Sequence, residues 1–135
     1  MVPKPAPSEA QGPTSAELRA RQAAKIREIS KALVLAGFVS LDEQAGALGI
    51  PRSTAWTILQ AGHKTSGLSA MLLYRMLTSP QLPASVREVI EQYVFEKSAG
   101  FYSHNETQRR RFRARLVVLR GDQLRPKRSG SQPGG

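Results

Sequence analysis

The sequence of 135 residues contains no cysteine, and no apolar run in it approaches the roughly 20 residues needed to span a bilayer. The absence of cysteine excludes disulfide bonds, thiolate zinc sites and a cysteine nucleophile, and it fits a reducing compartment. The N-terminus also lacks the apolar stretch of a secretory signal. These absences favour a soluble protein of the cytoplasm.

Signals of enzymatic chemistry are missing as well. The two histidines, His63 and His104, are far apart in the chain and have no metal-ligand spacing around them. The sequence has neither a phosphate-binding glycine loop nor a nucleophile elbow. Most carboxylates stand where they would cap helices. We therefore expect a protein that is not an enzyme and that uses no metal and no cofactor.

Positive charge is present in excess, and it is unevenly distributed. The net charge is +10. Residues 1–40 carry six basic and three acidic groups, residues 41–100 carry five of each, and residues 101–135 carry nine basic and two acidic groups. A surplus concentrated at the two ends favours a polyanionic partner such as nucleic acid. The alternative is that the charge only keeps the protein soluble.

Helical signals run through the middle of the chain. Apolar residues recur at spacings of three and four, and no strand-like alternation interrupts them. Four Ser/Thr residues, each followed three positions later by Glu, predict helix starts: Thr14 with Glu17, Ser40 with Glu43, Ser85 with Glu88, and Ser103 with Glu106. Glycines 37, 49, 62, 100 and 121 predict helix ends.

These signals predict an all-α fold, a compact bundle of five to six helices between disordered tails. Residues 1–13 form a Pro/Ala-rich tail, and residues 14–100 form a helical domain. Residues 101–119 form an Arg-rich helix, and residues 120–135 form a basic tail. Neither tail has enough apolar residues to offset the entropy lost on ordering.

One stretch, LDEQAGALGIPRSTAWTILQ at residues 41–60, resembles a helix-turn-helix. Two short helices that cross steeply need a small residue at their closest approach, and Ala45 is in that position. The turn needs a residue that adopts positive φ, and Gly49 supplies it. Apolar residues follow at the offsets that fill the angle between the helices: Leu48, Ile50, Ala55 and Ile58. The alternative is an ordinary helical hairpin with a glycine turn.

The layout around this stretch, over roughly residues 24–79, looks like the lambda-repressor or Cro-like class of bacterial and phage regulators. The resemblance implies sequence-specific binding of double-stranded DNA, a role in transcription and a nucleoid-associated location. It also implies that residues 51–61 form the recognition helix, which enters the major groove. Residues 85–119 fall outside the resemblance, and their surplus of apolar helix suggests a homodimer or another protein partner.

On the recognition helix, the exposed side chains are candidates for reading bases: Arg52, Ser53, Trp56, Thr57 and Gln60. Arg52 suits guanine and Gln60 suits adenine. Trp56 has two interpretations, contact with a thymine methyl group or packing over a neighbouring helix. Thr54, nearer the edge of the helix, suits capping or a phosphate contact.

Phosphate contacts are expected from two further segments. The loop residues His63, Lys64, Thr65 and Ser66 follow the recognition helix, with a solvated loop as the alternative. Five arginines crowd a short segment and favour a phosphate partner: Arg109, Arg110, Arg111, Arg113 and Arg115. Acidic residues of helix five (Glu88, Glu91, Glu96) are the competing partners. An architectural or DNA-packaging protein, or an adaptor that binds RNA or an acidic protein surface, stays open as an alternative function.

Overall fold

A computed structural model describes residues 12–59 and 67–124, except for the side chains of residues 122–124. These residues form six α-helices and no strand, so the predicted all-α fold is confirmed. The helices are α1 Ser15–Leu35, α2 Leu41–Leu48, α3 Arg52–Leu59, α4 Ala70–Leu77, α5 Ala84–Ser98 and α6 Glu106–Leu124. None of these helices is both long enough and apolar enough to cross a membrane. Residues 1–11, 60–66 and 125–135 lie outside the described residues.

Two of the predicted helix starts are confirmed as reciprocal caps. The Thr14 hydroxyl accepts a hydrogen bond from the Glu17 backbone N–H at 3.1 Å, and the Glu17 carboxylate accepts one from the Thr14 N–H at 2.9 Å. Ser40 and Glu43 make the same pair of bonds at the start of α2. The backbone N–H of Ser40, with that of Val39, lowers the pKa of the Glu43 carboxyl. Both helices therefore begin where the sequence predicts.

The other two predicted caps are wrong. Helix α5 begins two residues earlier than a Ser85 cap predicts, at Ala84, with Pro83 as its N-cap and no side-chain cap. Helix α6 is capped by Asn105, whose side-chain oxygen accepts from the Gln108 N–H at 2.9 Å. The Ser103 hydroxyl accepts instead from the Asn105 N–H at 3.0 Å. Asparagine caps a helix as strongly as serine does, so Asn105, which is closer to the first helical residue, takes the N-cap position.

The predicted end of the last helix is also wrong, because α6 continues through Gly121 to Leu124. Arg120 forms an ion pair with Glu91 of α5 at 3.3 Å, which holds this turn of α6 against α5. Leu119 also packs against the core, and glycine inside a helix costs only about 0.5–1 kcal/mol, so the helix continues through Gly121. Residues 120–124 therefore belong to the folded domain and not to the tail.

The core lies where α1 packs on α5, α4 packs on α6, and α2 packs on α3. All six helices contribute buried apolar side chains, which form one contiguous cluster. The largest fully buried side chains among them include Ile29, Leu33, Leu48, Leu73, Met76, Ile90 and Tyr93. Helix α6 adds Phe112 and Leu116, with Leu119 partly buried beside them. These three residues of α6 follow at spacings of four and three, so one side of the helix packs on the core.

The connection between α2 and α3 is a tight turn built around Gly49. Gly49 has φ +70°, in the left-handed region that favours glycine. The Ile50 N–H donates to the Ala45 carbonyl at 3.2 Å and closes the end of α2. Ser79, from the connection between α4 and α5, donates its hydroxyl to the Ala47 carbonyl at 2.8 Å. Ala45 and Ala55 are buried, so the two helices approach closely there.

A buried polar network holds the chain at residues 67–68, where the described structure resumes after α3. The Tyr93 hydroxyl donates to the Gln22 side chain at 2.5 Å and accepts from the Leu68 N–H at 2.9 Å. Burial raises the pKa of Tyr93, so its hydroxyl keeps the proton that it donates. Gly67 has φ +75°, and a Cβ at this position would collide with the Gln22 and Tyr93 side chains. The start of α4 is thereby tied to both α1 and α5.

Gly49→Ala should lower the free energy of unfolding by about 1–3 kcal/mol. Alanine would be held in the left-handed region, and its Cβ would lie 3.0 Å from the Ser79 Cβ. The matched control is Gly46→Ala inside α2, where the nearest atom lies 4.0 Å from the new Cβ. The control should leave stability unchanged or raise it by about 0.5–1 kcal/mol. Urea denaturation measures both, and equal stability of the two variants would contradict the assigned turn.

Candidate nucleic-acid interface

The outward side of α3, here called the α3 face, carries most of the predicted base-reading residues. Arg52, Ser53 and Trp56 are exposed, and Thr54 and Thr57 are partly buried. Ala55 is fully buried against the rest of the domain, which turns the other side of the helix outward. One short helix therefore presents a guanidinium, hydroxyls and an indole ring to solvent.

Trp56 is 51% exposed, although tryptophan is the largest apolar side chain in the sequence. The interpretation in which it covers a neighbouring helix is met only in part, because half of its surface stays in contact with water. An exposed aromatic ring beside polar groups is typical of binding surfaces. As the single tryptophan, it also provides an intrinsic fluorescence probe on this face.

Arg52 is held by a partner that sequence reasoning missed. Its Nε lies 2.8 Å from a carboxylate oxygen of Asp42, in the first turn of α2. Both side chains are largely exposed, so the pair contributes little to stability. The contact joins the N-terminal ends of α2 and α3 and orients the guanidinium. No sequence signal links residues 42 and 52, because they meet only when the turn at Gly49 brings the two helix ends together.

Five predicted contact residues lie outside the described residues: Gln60, His63, Lys64, Thr65 and Ser66. The described chain stops at Leu59, the last residue of α3, and resumes at Gly67. The contacts of these five residues with DNA stay predictions.

Helix α6 buries part of its apolar residues and exposes most of its arginines. Phe112 and Leu116 point into the core. Four arginines, here called the arginine face, are exposed: Arg110, Arg111, Arg113 and Arg115. Arg109 is less exposed and forms an ion pair with Glu106 of the same helix, which is the largest cause of the lowered pKa of that carboxyl. The predicted cluster of cations is therefore presented to solvent by a helix that the core holds in place.

The carboxylates of α5 do not neutralise these arginines within the described residues. Glu91 pairs with Arg120 instead. Glu96 lies 3.8 Å from Lys25 and accepts a hydrogen bond from Tyr102. Burial, together with this bond, raises the pKa of Tyr102. No ion pair joins Glu88 to the described part of the protein. The acidic residues of α5 are therefore not the intramolecular partner of the arginine face.

Lys97 is a functional candidate that the sequence did not reveal. Its Nζ donates to the Leu68 carbonyl at 3.0 Å and lies over the rings of Phe112 and Tyr93, 5.0 and 5.8 Å from their centroids. Burial lowers its pKa to about 8. Lys97 follows Tyr93 by four residues, which places it on the inner side of α5. This helical periodicity is the sequence signal that could have pointed to Lys97.

The chemistry available at these surfaces is binding chemistry. Guanidinium and ammonium groups bind phosphate, hydroxyls bind phosphate or base edges, and an indole packs against apolar groups. Within the described residues, histidines and carboxylates form no cluster of three that could hold a metal ion. The arrangement therefore fits recognition of a polyanion.

Replacing Lys97 with methionine should change how stability depends on pH. The lysine pKa is near 10.4 in an unfolded chain and about 8 here, so between these values the unfolded state binds more protons. The free energy of unfolding of the wild type should therefore rise from pH 8 to pH 9.5, by about 1 kcal/mol after allowance for partial exposure. The Lys97→Met variant should lack this increment, whereas Lys31→Met, at an exposed lysine of α1, should keep it. Equal pH slopes for Lys97→Met and wild type in urea titrations would refute the assignment.

No protein-family model matches this chain, and no curated protein or solved structure shows significant similarity to it. Its function has to be argued from its own site, since a fold alone does not determine a function.

Proposed function

We propose that this chain binds double-stranded DNA in a sequence-specific manner, with α2 and α3 acting as a helix-turn-helix. In this proposal it is a transcriptional regulator of a bacterium or phage, located in the cytoplasm with the nucleoid, and it catalyses no reaction. The observation that carries the proposal is the α3 face: an exposed tryptophan, arginine and serine on a helix fixed by a glycine turn.

The packing around α3 supports this proposal first. A reading helix must be rigid relative to its domain, because base contacts require side chains placed within fractions of an ångström. Helix α3 is fixed at its start by the Gly49 turn and by Ser79 behind that turn. Ala55 packs it against the core, and α3 contacts α1 as well as α2. Its outward side chains are therefore presented by a supported element.

The side chains on α3 provide the second support. Arg52 has the planar donor fork that pairs with the O6 and N7 atoms of guanine, and Ser53 and Thr57 can donate to bases or phosphates. Trp56 offers an apolar surface for a thymine methyl group. Gln60, outside the described residues, extends this set by one turn and suits adenine. Thr54, which is partly buried, is assigned to phosphate.

The arginine face supplies the third support. Its four guanidinium groups, with Arg109 beside them, bind phosphate without regard to sequence. Lys64 and its neighbours His63, Thr65 and Ser66 are assigned the same role. This cation density also favours a second function, an architectural protein that binds nucleic acid without sequence preference. The two functions differ in the ratio between the affinity for a selected site and that for random DNA.

Selection from a random duplex library tests the proposal directly. The recovered sequences are titrated by fluorescence anisotropy at several salt concentrations, with Trp56 quenching as an independent signal from the α3 face. A regulator should bind its selected site about a thousandfold more tightly than random duplex. Tight binding that is blind to sequence, and that disappears at physiological salt, would instead establish the architectural function.

Arg52→Ala should weaken binding to the selected duplex by about 1–3 kcal/mol and relax preference at one base pair. Arg27→Ala, at an exposed arginine of α1, is the control with the same charge change and should retain that preference. Asp42→Asn should act in the opposite direction, because it releases Arg52 and removes a negative charge. Its affinity for the selected duplex should rise by up to about fivefold, which corresponds to the energy of an exposed ion pair. An Arg52→Ala variant that weakens all duplexes equally would contradict base reading.

The proposal includes a homodimer, formed by a groove between α5 and α6. The two helices run antiparallel, because Lys97 lies over Phe112 near their connection and Glu91 pairs with Arg120 further from it. The groove between them exposes Phe95 and Val117, which are 73% and 70% accessible. Apolar side chains this exposed favour a protein contact.

Charge complementarity favours a second copy of the chain as the occupant. The α5 side of the groove carries Glu91, and the α6 side carries Arg113 and Arg120. A two-fold axis parallel to the helices places α5 of one copy over α6 of the other, so that Glu91 faces the arginines of the second copy. The same rotation brings Phe95 and Val117 together. An isologous interface of this kind is self-complementary in both charge and apolarity.

Phe95→Lys should convert the protein to a monomer, because a lysine would be placed in the apolar centre of the interface. Leu35→Lys is the matched control, since Leu35 is 80% exposed on α1 and lies outside the groove. Light scattering at micromolar concentration, with and without the selected duplex, gives the mass of each variant. A monomeric wild type on DNA, or a monomeric Leu35→Lys variant, would exclude this interface.

A further inference from the structure

An open cleft of about 840 Å³ lies apart from the α3 face, between α1, the start of α4, the end of α5 and the first half of α6. This volume is within the range of small-ligand sites, roughly 300–1,000 Å³. Five cationic side chains from three helices line it: Arg19, Lys97, Arg109, Arg111 and Arg115. We call it the basic cleft. No carboxylate is among the described residues that line it.

Three of the five cations in the basic cleft have no ion-pair partner among the described residues. In the described part of the protein, Arg19, Arg111 and Arg115 take part in no hydrogen bond or ion pair. Arg109 is paired with Glu106, which lies outside the lining. Arginines that line one concave surface with no carboxylate among them favour a bound anion.

The start of α4 adds to the positive potential of the basic cleft. Ser69 and Ala70 line the cleft at the N-terminal end of this helix. The Ser69 hydroxyl caps the Leu72 N–H at 3.1 Å. The first backbone N–H groups of a helix and its dipole favour a bound anion. The cations of α1 and α6 and the N-terminal end of α4 therefore all contribute positive potential to the basic cleft.

Lys97 occupies the inner end of the basic cleft in a fixed position. Its bond to the Leu68 carbonyl and its contact with the Phe112 ring place the ammonium group between α4 and α6. Gln22, which accepts a hydrogen bond from Tyr93, and Gly67, which lies beside both of those side chains, complete that side.

From this arrangement we infer that the basic cleft is a phosphate-binding site, in which the arginines of α6 and the start of α4 hold a phosphate-bearing ligand. Several guanidinium groups around one volume match the many oxygens of a phosphate or polyphosphate better than a single carboxylate. The phosphate has two possible sources, the backbone of DNA bound by α3 or a free polyphosphate. If the phosphate belongs to DNA, the inference rests on the proposed function. If it belongs to a free polyphosphate, the inference is independent of that function.

The test compares two double variants of full-length protein that have the same net charge. Arg111→Ala with Arg115→Ala removes two arginines that line the basic cleft. Arg27→Ala with Arg75→Ala is the control and removes two exposed arginines, on α1 and α4, that do not line the cleft. Circular dichroism confirms that both remain folded. The probe is inorganic tripolyphosphate, titrated by calorimetry in buffer without phosphate.

The wild type should bind one tripolyphosphate per chain. The cleft double variant should bind it at least about tenfold more weakly, whereas the control double variant should change affinity by less than about threefold. Equal weakening by both variants would overturn the inference, since only net charge would then matter. Absence of tripolyphosphate binding to the wild type would overturn it as well.

A parallel titration with duplex DNA distinguishes the two sources. If the cleft double variant also loses duplex affinity selectively, and tripolyphosphate competes with the duplex, the bound phosphate is that of the DNA backbone. If duplex affinity is the same for both double variants, the ligand is a free polyphosphate. If the protein binds tripolyphosphate in the basic cleft but binds no duplex, the proposed function fails and the phosphate site stands.

Discussion

The position of the α3 face depends on the contact between the α2–α3 turn and Ser79. The Ser79 hydroxyl holds the Ala47 carbonyl at 2.8 Å, and its Cβ occupies the space next to Gly49. This contact joins the two short helices to the connection between α4 and α5, which the core fixes separately. Interiors are packed too densely to absorb a displacement at such a point. A shift at the turn would therefore be transmitted to Arg52 and Trp56.

How far the sequence predicts this fold depends on how local each determinant is. Thr14, Ser40 and Gly49 act within a few residues of themselves, and their predicted roles are confirmed. Ser103 failed because Asn105, which is closer to the helix, takes the N-cap position, and Gly121 failed because Leu119 and Arg120 hold the preceding turn on the rest of the domain. A local signal decides the structure only where no neighbour or tertiary contact offers a better partner.

The same distinction applies to the candidate site. Helical periodicity was sufficient to predict that Arg52 and Trp56 are exposed, since burial of Ala55 fixes the orientation of α3. The role of Asp42 depends on the turn that brings two helix ends together, and the environment of Lys97 depends on three helices. The basic cleft likewise consists of residues distant in sequence. No pattern along the chain could have assembled it.

If α3 reads bases as proposed, sequence specificity lies on the α3 face and non-specific affinity lies on the arginine face. The α3 face contains one arginine among the described residues, and that arginine already has Asp42 as a partner, so its net electrostatic attraction is small. The arginine face and the basic cleft add several cations, each of which would release about one counterion on contact with a phosphate. Affinity for the polyanion should therefore depend on the arginines of α6 and fall steeply as the salt concentration rises.

Preference among DNA sequences should depend on the side chains of α3 and change little with salt concentration, because hydrogen bonds to base edges release no counterions. A chain that carries the two properties on separate helices can change its target by substitution on α3 while the packing of α6 on the core stays as it is.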